Sequence, residues 1–441
     1  MDYTPHTPAD IDEMLATIGV SQINDLFEPI PTQLRLSRKL DISPPMTESE
    51  VLDLVNGLSQ RNASTDRLKC FAGGGAYDHY IPAAVRALAY RSEFVTSYTP
   101  YQPELSQGVL GALFEYQTMI CELTGMEVAN ASLYDGASSL VEAVNMAVSV
   151  TGRKRVVVSG AINPNYRKVL ETFGYGQDLE FITANAESGV TSFDGLGEAA
   201  CLIVAQPNFF GIIEDIKVAA DAAHSAGALL VTHFDPLAAG LLESPGALGS
   251  DVVTGEGQSL GNELNFGGPY LGIFATKMEH VRKVPGRICG ATVDVNGKPG
   301  FVLTLQTREQ HIRREKANSN VCTNQTLMAV VATVYLSWLG PQGIAELAST
   351  CVARTRHAAE LLSSVPGCSL AFEKPTFKEF VLRVPSSAKE VSSKLATRGF
   401  LVGPSLEIFR GMEDCLLIAV TEKRSPQDVE QLAKELAEVV A

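Results

Sequence analysis

The chain has 441 residues, enough for two or three domains around large buried cores, and its 45% apolar and 19% charged residues are the composition of a soluble globular protein. A formal net charge of −15 speaks against nucleic acid and anionic membranes, which are bound by basic patches. The opening stretch "MDYTPHTPADIDEML" lacks the basic region and apolar core of a signal peptide, and no apolar run is expected to reach membrane-spanning length.

Residues 1–70 read as a helical N-terminal arm. Thr7 can cap a helix that has Pro8 at its first position, and apolar residues recur with a helical period at Ile11, Met14, Leu15 and Ile18. The stretch "FEPIP" at 27–31 breaks the pattern, and Thr47 with Glu50 three residues on predicts a capping box for another helix. Such an arm makes no core alone, so it is expected to lie on the main domain or on a partner chain.

Residues 71–330 read as a large α/β domain. It opens on "FAGGGAYDHYIP" at 71–82, whose three glycines suit either a tight turn between domain pieces or a backbone laid against a flat group. A polar, aromatic loop, "TSYTPYQPELSQG" at 96–108, leads into a helix, and "YDGASSLVEA" at 134–143 reads as a helix start. Buried strands follow at 153–160, 199–208, 228–235 and 251–255, with a helix at 218–227 between the second and third. Strand, helix, strand in this order predicts βαβ units in a mostly parallel sheet, with ligands at the carboxyl ends of its strands. Those ends are Gln206-Pro207-Asn208, His233-Phe234-Asp235 and Glu256-Gly257-Gln258. The run "REQHIRREKANSNVCTNQ" at 308–325 gathers Arg308, Arg313, Arg314 and Lys316, then ends in hydroxyl and amide donors suited to an anion; a solvated helix face is the alternative. Residues 331–441 read as a small C-terminal α+β domain, preceded by a long helical stretch that turns near Gly340-Pro341.

The eight cysteines are scattered and never form CxxC, and the seven histidines show no HxxxH or HExxH spacing. Neither disulfides nor a metal site are expected, and the reduced cytoplasm is the expected compartment.

The strand ends suggest a site for a cofactor with a pyridine ring, an aldehyde and a phosphate. Asp235, at the end of a buried strand, could pair with the ring nitrogen; it could equally cap a turn before Pro236. The helix start at 134–143 could hold the phosphate through backbone amides and Ser138 or Ser139, or be an ordinary N-cap. His233 lies on the same side of its strand as Asp235, where it can face a ring or serve as a buried histidine with a backbone partner. The lysine that should hold the aldehyde is missing: the loop after the 251–255 strand offers Gln258-Ser259, and Lys277 and Lys283 come only after the Gly-rich hairpin.

Four long stretches carry a resemblance that accounts for this. "FAGGGAYDHYIPAAV", the segment from "FVTSYTPYQPELSQG" to "LYDGAS", "GEGQSLG" with "LNFGGPYLG", and "QTREQHIRREKANSNVCTNQ" together resemble the glycine cleavage P-protein family, the decarboxylating glycine dehydrogenases, over nearly the whole chain. Within it, the chain is most similar to the first subunit of the split form. The resemblance implies pyridoxal-phosphate fold type I, with a mostly parallel seven-stranded sheet. It implies an α2β2 complex in which subunit 2 carries the imine lysine and the cofactor, glycine is decarboxylated, and the aminomethyl group passes to the lipoyl arm of H-protein. Asp235, His233, Gln258 and Ser138 would then mark a vestigial site. Tyr98, Tyr101, Thr323 and Asn324 would reach into the partner's site, with Arg313 and Arg314 setting the local potential for phosphate, substrate carboxylate or an acidic H-protein surface. Two other readings stay open: a standalone pyridoxal-phosphate enzyme using a lysine such as Lys277, and a structural or regulatory partner of subunit 2.

Overall fold

A computed structural model describes residues 5–317 and 319–441, so the first four residues of the arm and Asn318 of the donor-rich run lie outside the description. The chain divides into two units, one ending at Ala63 and one running from Ser64 to Ala441. In the first unit Thr7 and Asp10 close a capping box on the helix Pro8–Ile18, and Thr47 and Glu50 do the same for Glu48–Ser59. Each box satisfies backbone N–H groups that a helix start leaves unpaired. Leu15 is the only buried residue among the described residues of this unit; Ile18, Leu34, Leu40, Ile42, Leu54 and Leu58 are all exposed. The arm therefore has no core of its own.

The second unit is built on a seven-stranded sheet. Its strands lie in the order Val128–Ala129, Gly272–Thr276, Val252–Glu256, Leu229–Phe234, Cys201–Gln206, Arg155–Ser159 and Glu180–Ala184. The last five in this order run parallel, and Gly272–Thr276 returns antiparallel beside Val252–Glu256 through the Gly-rich hairpin. Alternate residues of the strands face opposite layers. Val156, Val158, Ile203 and Val231 pack with the helix Gly136–Thr151. Val157, Leu202, Val204 and Leu230 pack with Ile216–Ser225, while Val253, Ile273 and Ala275 meet the helix Gln107–Thr124 and the start of Thr326–Ser363. The central strands read as continuous apolar runs because both faces are covered.

The helix Thr326–Ser363 runs across residue 331, and Gly340 interrupts it with φ 63° and ψ 178°. By length and composition it is apolar enough to cross a membrane, contrary to the expectation that no run would be. Its apolar residues have another use: Met328, Val331, Tyr335 and Leu336 are buried in one core, and Ala358 and Leu362 in another. The second of these cores belongs to a three-stranded antiparallel sheet, in the order Ser369–Leu370, Glu379–Arg383, Cys415–Ala419, flanked by helices Ala388–Thr397 and Pro426–Val440.

Lys69–Ala72 pairs in parallel with Phe400–Gly403, so the chain touches this C-terminal layer before it enters the large sheet. The three glycines that follow make both a turn and a close approach. Gly74 and Gly75 have φ +90° and +120°. A Cβ on Gly73 would stand 2.1 Å from Glu379 Oε1 and 2.7 Å from the Ala419 side chain, which leaves no room for any other residue.

Candidate functional site

The carboxyl ends of three parallel strands meet the C-terminal layer around a cavity of about 60 Å³. Asp235 closes one of these strands. Its Oδ2 lies 2.6 Å from Nζ of Lys378, a lysine that is 2% exposed and comes from the start of the Glu379–Arg383 strand. The same ammonium is 3.6 Å from the centroid of the Tyr77 ring and 3.3 Å from His79 Nε2. Asp235 Oδ1 accepts from Leu237 N at 3.1 Å, so the turn-capping role exists as well. Neighbouring Glu379 accepts from Gly74 N at 2.6 Å and from the Tyr77 hydroxyl at 2.8 Å. His79, Cys351 and Glu422 could form a metal trio by distance, but the Lys378 ammonium beside His79 disfavours a cation there.

The helix Gly136–Thr151 points its N-terminus toward the same place. Asp135 caps it by accepting from Ser138 N at 2.7 Å, and Glu256 Oε2 accepts from Gly136 N at 2.9 Å. Glu256 Oε1 takes two more backbone donors, Gln258 N and Leu271 N, at 2.9 and 3.0 Å. The chain's own carboxyl groups thus fill the anion position at this helix start. Gln258 is 2% exposed; it accepts from Tyr77 N at 2.8 Å and donates to the carbonyls of Tyr77 and Asn262 at 3.1 and 2.8 Å. His233 lines the cavity, meets Thr254 Oγ1 at 3.1 Å and stands edge-on to Tyr166; burial holds it down to about 4, so it is neutral at pH 7.

Burial also pushes Glu256 up to about 8 from 4.5, against the pull of its backbone donors. The folded chain therefore binds this proton more readily than the unfolded chain does. The resulting stability is full below pH 4.5 and lost as the pH rises through about 8. Glu142 and Glu379, each pushed up to about 7 by burial, act in the same direction and His233 in the opposite one, so over that window the melting temperature of Glu256→Gln should fall less steeply with pH than that of the unchanged chain; an identical slope would rule out a contribution from Glu256.

A second constellation lies on the loops. Tyr98 and Tyr101, 80% and 57% exposed, line one hollow of about 730 Å³. Tyr101 also borders another of about 560 Å³ with Arg314 and Cys322. Asn324 is tied to Ala131 O and Ser132 Oγ at 2.8 and 3.1 Å, and Thr323 Oγ1 is buried with no partner. Arg313 is exposed and lines neither hollow. The structure thus groups Tyr101 with Arg314 and with the loop that carries Thr323 and Asn324, sets Tyr98 beside them, and leaves Arg313 apart.

Residues 1–436 match the family described as glycine cleavage system P-protein. The chain belongs to this family. It is 48% identical over 442 residues to the probable glycine dehydrogenase (decarboxylating) subunit 1 of Chlorobium phaeobacteroides, covering 99% of each chain. The crystal structure of a glycine decarboxylase (P-protein) of the glycine cleavage system, in inhibitor-bound form, superposes with a TM-score of 0.93 at 45% identity, covering 100% of both chains. A sphingosine-1-phosphate lyase of Burkholderia pseudomallei, at 16% identity and a TM-score of 0.66 over 92% of each chain, shares the fold alone. That fold is pyridoxal-phosphate fold type I, as the sequence predicts.

The pocket of this P-protein chain does not fit the cofactor of its fold. Gln258 stands where the loop would offer a lysine, Glu256 sits at the phosphate end, and Lys378 already pairs Asp235. About 60 Å³ is also far below the several hundred Å³ of ordinary cofactor pockets. Two of the four sequence-predicted pocket residues, His233 and Asp235, line the cavity; Gln258 supports its wall through Tyr77, and Ser138 stands outside it, its backbone N–H taken by the capping Asp135. Lys277 and Lys283 are elsewhere. Lys277 pairs with Asp251 at the far end of the Val252–Glu256 strand, and Lys283 donates to Ser149 near the far end of its helix. Sequence reasoning missed Lys378, whose only local sign is a charge inside the apolar stretch "TFKEFVLRV".

Proposed function

We propose that this chain is the first of two homologous subunits of a decarboxylating glycine dehydrogenase, and that it completes the active site of its partner. The observation that carries the reading is a pocket filled by its own side chains in a chain that keeps a donor-rich, aromatic loop cluster facing outward. In this reading subunit 2 holds pyridoxal phosphate through its own lysine, and the bound cofactor serves as the electron sink when glycine loses its carboxylate as CO2. The residues of this chain orient and enclose: Tyr98 and Tyr101 supply hydroxyls and aromatic walls, Thr323 supplies a hydroxyl with no partner in its own chain, Asn324 braces the loop through its bonds to Ala131 O and Ser132 Oγ, and Arg314, with Arg313 farther out, sets a positive local potential in an acidic chain. Assembly as α2β2, aminomethyl transfer to the lipoyl arm of H-protein and a cytoplasmic setting belong to the same reading; eight free thiols accord with a reducing compartment.

Borohydride reduction of the two-subunit complex with pyridoxal phosphate, followed by peptide mapping, is expected to label the partner alone. A labelled lysine in this chain would overturn the proposal. In the same complex Tyr98→Phe and Thr323→Ala are each expected to lower kcat/KM for glycine roughly tenfold, the size of one lost transition-state hydrogen bond. Unchanged rates in an intact complex would remove both residues from the site and favour a purely structural partner.

A further inference from the structure

The Tyr101 and 322–324 loops are joined by a residue that no motif marks. Arg287 is 2% exposed, and its guanidinium sits behind both loops. Nη2 donates to the Tyr101 hydroxyl at 2.8 Å and to Cys322 O at 2.6 Å, and Nη1 donates to Asn324 Oδ1 at 3.0 Å. The guanidinium carbon also lies 5.2 Å from the centroid of the Tyr101 ring. Among the described residues no carboxylate comes within ion-pair distance of it, and its Nε is buried with no partner.

A buried cation without a counter-charge is costly, and a core needing only packing would use an apolar side chain. Every polar bond of this guanidinium instead goes to the two outward loops. Its planar fork fixes their relative position in a way that a lysine, with one point charge, cannot reproduce. Tyr101 is 57% exposed, yet its hydroxyl is directed by a residue from the interior.

We propose that Arg287 is the positioning residue of the face this chain offers to its partner's site: it sets Tyr101 and Asn324 as one rigid unit and acts on the reaction through them. The inference rests on the reading that these loops complete the partner's site. Its test has two parts.

In the chain alone, hydrogen exchange of Arg287→Lys should speed up in the peptides covering 98–106 and 320–326, while the peptides of the seven-stranded sheet keep their protection. In the two-subunit complex, Arg287→Lys and Tyr101→Phe should each lower kcat for glycine roughly tenfold, and the double variant should be no slower than the slower single one, because both remove the same arrangement. Independent losses that multiply, or a fully active Arg287→Lys beside an impaired Tyr101→Phe, would overturn the role of Arg287. A fully active Tyr101→Phe would instead overturn the reading on which it rests. Arg287→Met guards against a trivial outcome: were charge alone sufficient, Lys would restore what Met loses, and the fork geometry would be refuted.

Discussion

Lys378→Met is expected to destabilise the chain by about 3–5 kcal/mol, the range for breaking a buried ion pair by removing one partner. The cost comes from what is left behind. Asp235, whose side chain is 14% exposed, would be left with only the Leu237 N–H as a close partner. Methionine nearly fills the lysine volume, so a cavity contributes little. The double variant Asp235→Asn/Lys378→Met is therefore expected to recover most of the loss, since it removes both charges and an asparagine oxygen can still cap Leu237. Urea unfolding of the isolated chain measures all three. A loss below about 1 kcal/mol for the single variant would mean that the pair is solvated in solution and that the pocket is more open than described.

Gln258→Lys is expected not to create a cofactor site. In the isolated chain the variant should stay colourless with pyridoxal phosphate, and borohydride should attach nothing at position 258. A lysine there answers only one of the cofactor's demands. The phosphate end still holds the Glu256 carboxyl, bound to three backbone N–H groups, and the ring-nitrogen carboxylate is still paired with Lys378. The change also removes the acceptor for Tyr77 N and sets an ammonium in a fully buried position, so a stability loss of about 3 kcal/mol should accompany it. Imine formation at residue 258 would show that Gln258 alone keeps the cofactor out, and the self-filled pocket would cease to be the explanation.

Both results depend on features of unequal legibility. The strands at 153–160, 199–208, 228–235 and 251–255 are readable because a parallel strand covered on both faces is a continuous apolar run with few competing assignments. The capping box at Thr47 is readable because the two residues that make it lie within one turn. The short edge strand Val128–Ala129 has no such sign, since two residues carry no period. The "FAGGG" stretch left a turn or a backbone laid against a flat group open; the structure shows the turn, together with a close approach of Gly73 to Glu379 that no local sign marks, because Glu379 lies some 300 residues away in the chain.

Of the site, the absence of a lysine from the loop after the 251–255 strand was legible, since Gln258-Ser259 stands there; that folding brings Lys378 into the cavity from another layer was not. The family, the mostly parallel sheet and the position of His233 and Asp235 at its carboxyl edge were likewise determined by the sequence alone, through local periodicity and long matching stretches. What fills the place of the cofactor was decided only by tertiary structure. Lys378 reaches Asp235 across a gap of 143 positions in the sequence, and Arg287 reaches Tyr101 across 186. An ion pair or a guanidinium fork depends on distances of about 3 Å in space, and a linear reading carries no information about those until the two layers of the protein close on each other.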